Sequence, residues 1–148
     1  MNKQLVKENC VEFLAQKLHE VKSAIEGIQE GIQQESKSSA GDKYETSREM
    51  LQQDLNRLLT QKSVIENDLS VLNSIRNENS LQAALGSLLE ISSGECFFIA
   101  VGIGKVPGLK KDCFAISVSS PLAKLILGKK KGDSFLFKNK KVTIVKLQ

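Results

Sequence analysis

The chain has no tryptophan, one tyrosine, one histidine and two prolines among its 148 residues. With a single histidine, His19, flanked by Leu18 and Glu20, neither a Ser-His-Asp nor a Cys-His catalytic arrangement is in view. Six phenylalanines without tryptophan supply little for an aromatic-lined binding pocket. The three cysteines, Cys10, Cys96 and Cys113, include no CxxC pair, so neither a disulfide frame nor a zinc site is expected, and an odd count points to a reducing cytosol. The opening MNKQLVKENC lacks the apolar core of a secretion signal, and no run approaches the roughly 20 apolar residues of a membrane helix. These absences lead us to expect a soluble, cytoplasmic protein, monomeric and with no membrane partner.

Charge is present but unevenly spread. The net charge of +4 and pI of about 9.0 do not by themselves announce a nucleic-acid binder. Up to Ser80, 10 Lys or Arg stand against 13 Asp or Glu, whereas the remainder carries 11 Lys against 4 acidic residues. The acidic first half and basic second half are electrostatically different objects.

The first half is dominated by helical periodicity. Val11, Leu14, Leu18, Val21, Ile25, Ile28 and Ile32 recur with alternating spacings of 3 and 4, an a/d heptad seam. Leu51, Leu55, Leu58, Lys62, Ile65, Leu69 and Leu72 repeat the pattern in mirror order. Lys62 interrupts the apolar row, which its methylene stem tolerates while the ammonium reaches water. In an antiparallel hairpin the numbers of facing residues must add to a constant. Pairing Ile32 with Leu51, and so on down to Val11 with Leu72, gives 83 every time. The turning point then falls between Gly41 and Asp42, within the polar, turn-prone stretch QQESKSSAGDKYETSRE. A helix from near Lys3 to near Ser36 would be roughly 50 Å long, so that stretch is expected at the end of a stalk.

Beyond Ser80 the pattern changes to short apolar or alternating runs, CFFIAVGIG, CFAISVS, SFLFK and KVTIVKL, separated by Gly, Pro, Asp and Lys. These predict strands. PLAKLILG predicts one short helix, with Ser120 as cap, Pro121 at its first position and Gly128 as its stop. The fold class expected is α+β, a long antiparallel coiled-coil hairpin over 1–80 followed by a small antiparallel sheet domain with one short helix over 81–148. Gly102 and Gly104 lack the third glycine and following helix of a phosphate loop, and Lys129, Lys130 and Lys131 read as a solvated turn.

Two segments carry a resemblance that covers nearly the whole chain. GDKYET is similar to the tip pattern Gly-Asp-x-x-Glu-Asn, and AISVSSPLAKLILGKKKGD to an Ile-Ser-x-x-Ser-Pro signature that ends in Leu-x-Gly-Lys-x-x-Gly-Asp. With the hairpin, they make the chain resemble the Gre transcript-cleavage factors that bind bacterial RNA polymerase. The resemblance implies an FKBP-like C-terminal domain that docks at the rim of the polymerase's secondary channel through a loop including Ser119, Ser120 and Pro121. It implies that the acidic tip near 41–46 enters the channel. Asp42 and Glu45 would be lent to the polymerase active site, helping to hold a second Mg²⁺ and a water that hydrolyses the 3′ end of backtracked nascent RNA. Gly41, Tyr44 and Thr46 would be tip contacts. The chain would be no enzyme itself and would have no cofactor of its own, only Mg²⁺ shared with the polymerase. Such lending suits Mg²⁺, which takes oxygen ligands and keeps several waters.

Thr46 stands where the tip pattern has Asn, and some relatives of this architecture occupy the channel without stimulating cleavage. A cleavage stimulator and a non-cleaving modulator or inhibitor therefore both stay open. Asp42 with Glu45 three residues on is also a capping-box-like helix start, a role compatible with presenting carboxylates. A prefoldin-like chaperone tentacle would need an apolar tip, and a prolyl isomerase an aromatic pocket.

Overall fold

The computed structural model describes the backbone of residues 1–36 and 42–148, and the side chains of 1–34 and 45–148. Two long helices, α1 (Lys3–Ser36) and α2 (Asp42–Ser74), precede six strands and a short helix: β1 (Leu88–Ile91), β2 (Cys96–Ala100), β3 (Gly104–Lys105), β4 (Cys113–Ser117), α3 (Pro121–Ile126), β5 (Ser134–Phe137) and β6 (Lys140–Leu147). The fold is α+β, as the periodicity change near residue 80 predicts. The chain forms two compact units, Leu14–Leu69, and Met1–Phe13 together with Ser70–Gln148.

Within Leu14–Leu69, burial among the described residues follows the heptad seam. Leu14, Ile25, Leu55, Leu58 and Ile65 are buried, while Leu18, Val21, Ile28, Ile32, Leu51, Lys62 and Leu69 are half-buried. Ile25, Leu55 and Leu58 form a cluster against which Val21, Ile28 and Ile32 pack. A Cβ placed on Gly31 would lie 3.6 Å from Leu51 Cδ1, so the ends of the two helices near the turn also meet as the pairing requires. Lys62 behaves as its position demands: half-buried, with Nζ 3.7 Å from Glu66 one helical turn on. The turn expected between Gly41 and Asp42 falls at residues 37–41, which lie outside the described residues.

In the other unit, Asn2 caps α1, its Oδ1 accepting from the Gln4 and Leu5 amides at 2.9 and 3.3 Å. Val6, Cys10, Leu72 and Ile75 are buried. Lysines of α1 bind the chain just after α2: Lys7 Nζ donates to the Ile75 carbonyl at 2.7 Å, and Lys3 Nζ to that of Glu78. Asn9 Nδ2 donates to the Pro107 carbonyl at 3.0 Å, and Gln148 Nε2 to that of Met1 at 3.0 Å.

The sheet runs β3-β4-β2-β1-β6-β5. Its pairs are antiparallel except β2 with β4, which are parallel, with Cys96 opposite Cys113. This departs from the wholly antiparallel sheet expected. The reason is the connection from Val101 to Asp112, long enough for the crossover that a parallel pair requires. The eight-residue β6 pairs with β5 through Lys140–Thr143 and with β1 through Ile144–Leu147, across a register shift at Glu90/Ile91. Between β5 and β6, Lys138 and Asn139 both have positive φ, 52° and 63°, as a two-residue I′ turn demands. Leu89, Ile91, Phe97, Ile99, Ile126, Phe135, Val142 and Ile144 form the core of this unit.

The link from α2 to β1 turns at Gly86, whose φ is +91° and where a Cβ would come 2.8 Å from Ile75 Cγ2. Gly94 has a similar φ, +92°, but open space around it. We expect Gly94→Ala to cost about 1 kcal/mol, from backbone strain alone, and Gly86→Ala about 2–3 kcal/mol because the contact adds to the strain. Denaturant melts of the two variants measure the difference, and equal losses would remove the Ile75 contact from the account.

Candidate functional site

The residues singled out by sequence fall in two places, one in each unit. In Leu14–Leu69, α2 opens at Asp42, so Asp42, Tyr44, Glu45 and Thr46 all lie in its first turn or at its edge. Glu45 and Thr46 are exposed. Carboxylates are stabilised here by the positive end of the helix dipole. Three residues apart on a helix, positions 42 and 45 are neighbours on its surface. Gly41, and the side chains of Asp42 and Tyr44, lie outside the described residues, as therefore does the capping geometry expected of them. Among the described residues, no group of three or more His, Cys, Asp or Glu could hold a metal ion.

The second place is the turn from β4 into α3. Ser120 caps α3 as expected: its φ and ψ are −66° and 150°, and its Oγ accepts from the Ala123 amide at 3.1 Å. The same hydroxyl donates to the Ser117 carbonyl at 2.8 Å, and Ser117 Oγ and Ser119 Oγ lie 2.8 Å apart. Pro121 opens the helix, where its missing N–H costs nothing. Ala123 and Ile126 are buried and anchor the helix to the core. The chain leaves α3 through Gly128 at φ +83°, the left-handed stop that its sequence position predicts. Ser119 and Pro121 are exposed, and Ser120 is half-buried.

Around this turn the structure adds residues that sequence reasoning missed. Val118, Leu125 and Leu127 are exposed at 41%, 46% and 37%, and Lys124, Lys130 and Lys131, close to them in sequence, are exposed as well. The signal was available: with Leu122, Ala123 and Ile126 facing inward, Leu125 is out of phase with the buried stripe of its own helix. The lysine run forms a turn held by Asp133, whose Oδ2 accepts from the Lys130 amide at 2.8 Å. Gly104 leads into β3 rather than a helix, so the VGIG segment is no phosphate loop.

Other chemistry-bearing groups are spent on the core. Phe97 packs against Phe114 and edge-on to Phe137, with ring centroids 6.3 and 6.0 Å apart. The cysteines are free and buried. Burial pushes the Cys10 thiol up to about 11. Its hydrogen bond with Cys96, together with burial, pushes the Cys113 thiol well above the usual range. Both stay protonated, and hence weak nucleophiles, at neutral pH.

No protein-family model matches the chain, and neither does any curated protein. A solved structure described as "Structure of the transcription factor Gfh1" aligns over 93% of this chain and 92% of its own, at 23% identity and a TM-score of 0.39. A likeness at that level carries neither family nor partner over to this chain.

Replacing Ser120 with Ala is expected to cost about 1 kcal/mol through the lost cap. Ser120→Asp should regain the cap but not the bond to the Ser117 carbonyl, and so recover only part of it. Thermal denaturation of the three proteins would expose an error if Ala and Asp behaved alike.

Proposed function

We propose that this chain is a Gre-like transcription elongation factor. It docks on bacterial RNA polymerase through its FKBP-like sheet unit and presents its hairpin tip in the secondary channel, where it stimulates cleavage of backtracked RNA. The observation that carries the reading is the seam. Every position of the two mirrored heptad rows is buried or half-buried, which supports a true hairpin with GDKYET at its turn rather than a helical stretch interrupted by chance. The Ser-Ser-Pro turn supports the docking half of the reading, since Ser120 is fixed by two hydrogen bonds while Ser119 and Pro121 remain open to a partner.

In this reading the protein is not an enzyme. Its seam supplies rigidity and its tip supplies charge. Asp42 and Glu45 present oxygen ligands from one helical turn, and Gly41, Tyr44 and Thr46 contact the channel or the RNA 3′ end. A Mg²⁺ shared with the polymerase would polarise the attacking water. A polar tip, with Glu45 and Thr46 exposed, counts against the apolar grip of a chaperone tentacle, and the packing of Phe97 against Phe114 and Phe137 counts against those rings lining an isomerase pocket.

Thr46, in place of the pattern's Asn, favours a second reading in which the tip occupies the channel without stimulating cleavage. Stalled elongation complexes with labelled RNA separate the two: the purified protein is expected to yield 3′-trimmed transcripts, and inhibition without trimming would select the modulator. The double variant Asp42→Asn, Glu45→Gln is expected to keep its fold, because Asn caps as well as Asp, and to lose trimming by at least about tenfold, the effect of one lost charge-assisted contact. Undiminished trimming by a folded double variant would sink the tip assignment.

A further inference from the structure

Between the end of α2 and the start of β1, the unit that contains the sheet holds a polar cavity of about 290 Å³. That is about ten times the share of one liquid water. Lys3 lines it. This lysine is 6% exposed, and burial lowers its pKa against the raising influence of Glu78. Its ammonium has three protons to donate, and its one hydrogen bond goes to the Glu78 carbonyl oxygen. No carboxylate forms an ion pair with it among the described residues; the Glu78 carboxylate instead lies 3.9 Å from the Arg76 guanidinium, in a pair that is 74% and 83% exposed and so weakly coupled. A buried cation with no carboxylate in direct contact is costly, and Lys3 is one of the residues that line the cavity.

The other linings complete a donor set. Arg76 brings a planar fork of N–H groups suited to oxyanions, and Asn79 an amide. Ser87, 2% exposed, accepts the Ala84 amide at 3.0 Å, which leaves its own proton to donate. Ser80 differs, since its hydroxyl proton goes to the Gln82 carbonyl at 2.6 Å. We propose that this cavity binds the terminal phosphate of a small phosphate monoester, with Lys3 and Arg76 supplying charge and Ser87 and Asn79 hydrogen bonds. Donors from four residues match three terminal oxygens better than the two of a carboxylate, and the volume leaves room for the ester's body. Glu78 on the rim opposes the ligand and tunes its affinity downward.

The test is titration of the full chain with inorganic phosphate, methyl phosphate and acetate at constant ionic strength, followed by amide NMR. Saturable shifts confined to residues 76–87 and the start of α1 are expected, with methyl phosphate at least as tight as phosphate and acetate weaker. Lys3→Gln should weaken binding about tenfold or more, as loss of a charge-assisted bond does. Arg76→Gln, at an exposed position, should weaken it severalfold, and Glu78→Gln should tighten it. Replacing Lys129, Lys130 and Lys131 together by Ser should leave it unchanged. Non-saturable shifts, shifts centred on 129–131, or unaltered affinity in Arg76→Gln would overturn the site. Acetate binding as tightly as methyl phosphate would overturn the ligand class.

Discussion

Two antiparallel helices share a single strip of contact, and in Leu14–Leu69 that strip is the whole of the available core. Its geometry is unforgiving, because each residue forward on α1 is matched by one residue back on α2. A slip of one position would turn Ile25, Leu55 and Leu58 out of register together and leave no second apolar face to replace them. The position of the first turn of α2, and so of Glu45 and Thr46, is therefore fixed by side chains far down the helices rather than by the turn itself. The seam's apolar residues stop at Ile32 and resume at Leu51, so that register makes no demand on the sequence around Gly41.

The sheet unit solves a different problem, which is closing a small core with short strands. β6 does this by pairing along its length with two partners, β5 and β1, so that Val142 and Ile144 face the same cluster as Leu89 and Ile99. The parallel β2/β4 pair brings Cys96 beside Cys113 and spends both as small apolar residues. α3 is held by its cap and by Ile126, which frees Leu125 and Leu127 for the outside.

How much of this was legible depended on the reach of the interactions. The seam could be read because seven positions on each helix, broken only by Lys62, carry the same periodic signal and are buried or half-buried; the turn expected between Gly41 and Asp42 lies outside the described residues. The cap at Ser120 and stop at Gly128 were equally legible, since both act within one turn. β1 was not: LLEI closes the run SLQAALGSLLEI, a composition a helix would accept, yet the chain from 75 to 87 is non-helical and turns at the left-handed Gly86 against Ile75. β3 is two residues long and exists through β4. The parallel pair depends on a crossover that no local pattern encodes. Lys3 was invisible as a functional candidate, because a lysine in an opening MNK looks solvated until a residue 75 positions away, Glu78, comes to rest against it.

The division of the chain into units has a consequence for the order in which it can fold. The hairpin between Leu14 and Leu69 is a local structure, complete once its second helix has been made, and contacts so near in sequence form early. Val6 and Cys10, by contrast, are made early yet belong to a unit whose sheet is not complete until β6 has been synthesised. During translation at roughly 5–20 residues per second, the opening turns of α1 therefore wait several seconds for their partners. That interval leaves apolar residues of the opening turns uncovered, and it makes the nascent chain, rather than the finished fold, the state most exposed to aggregation.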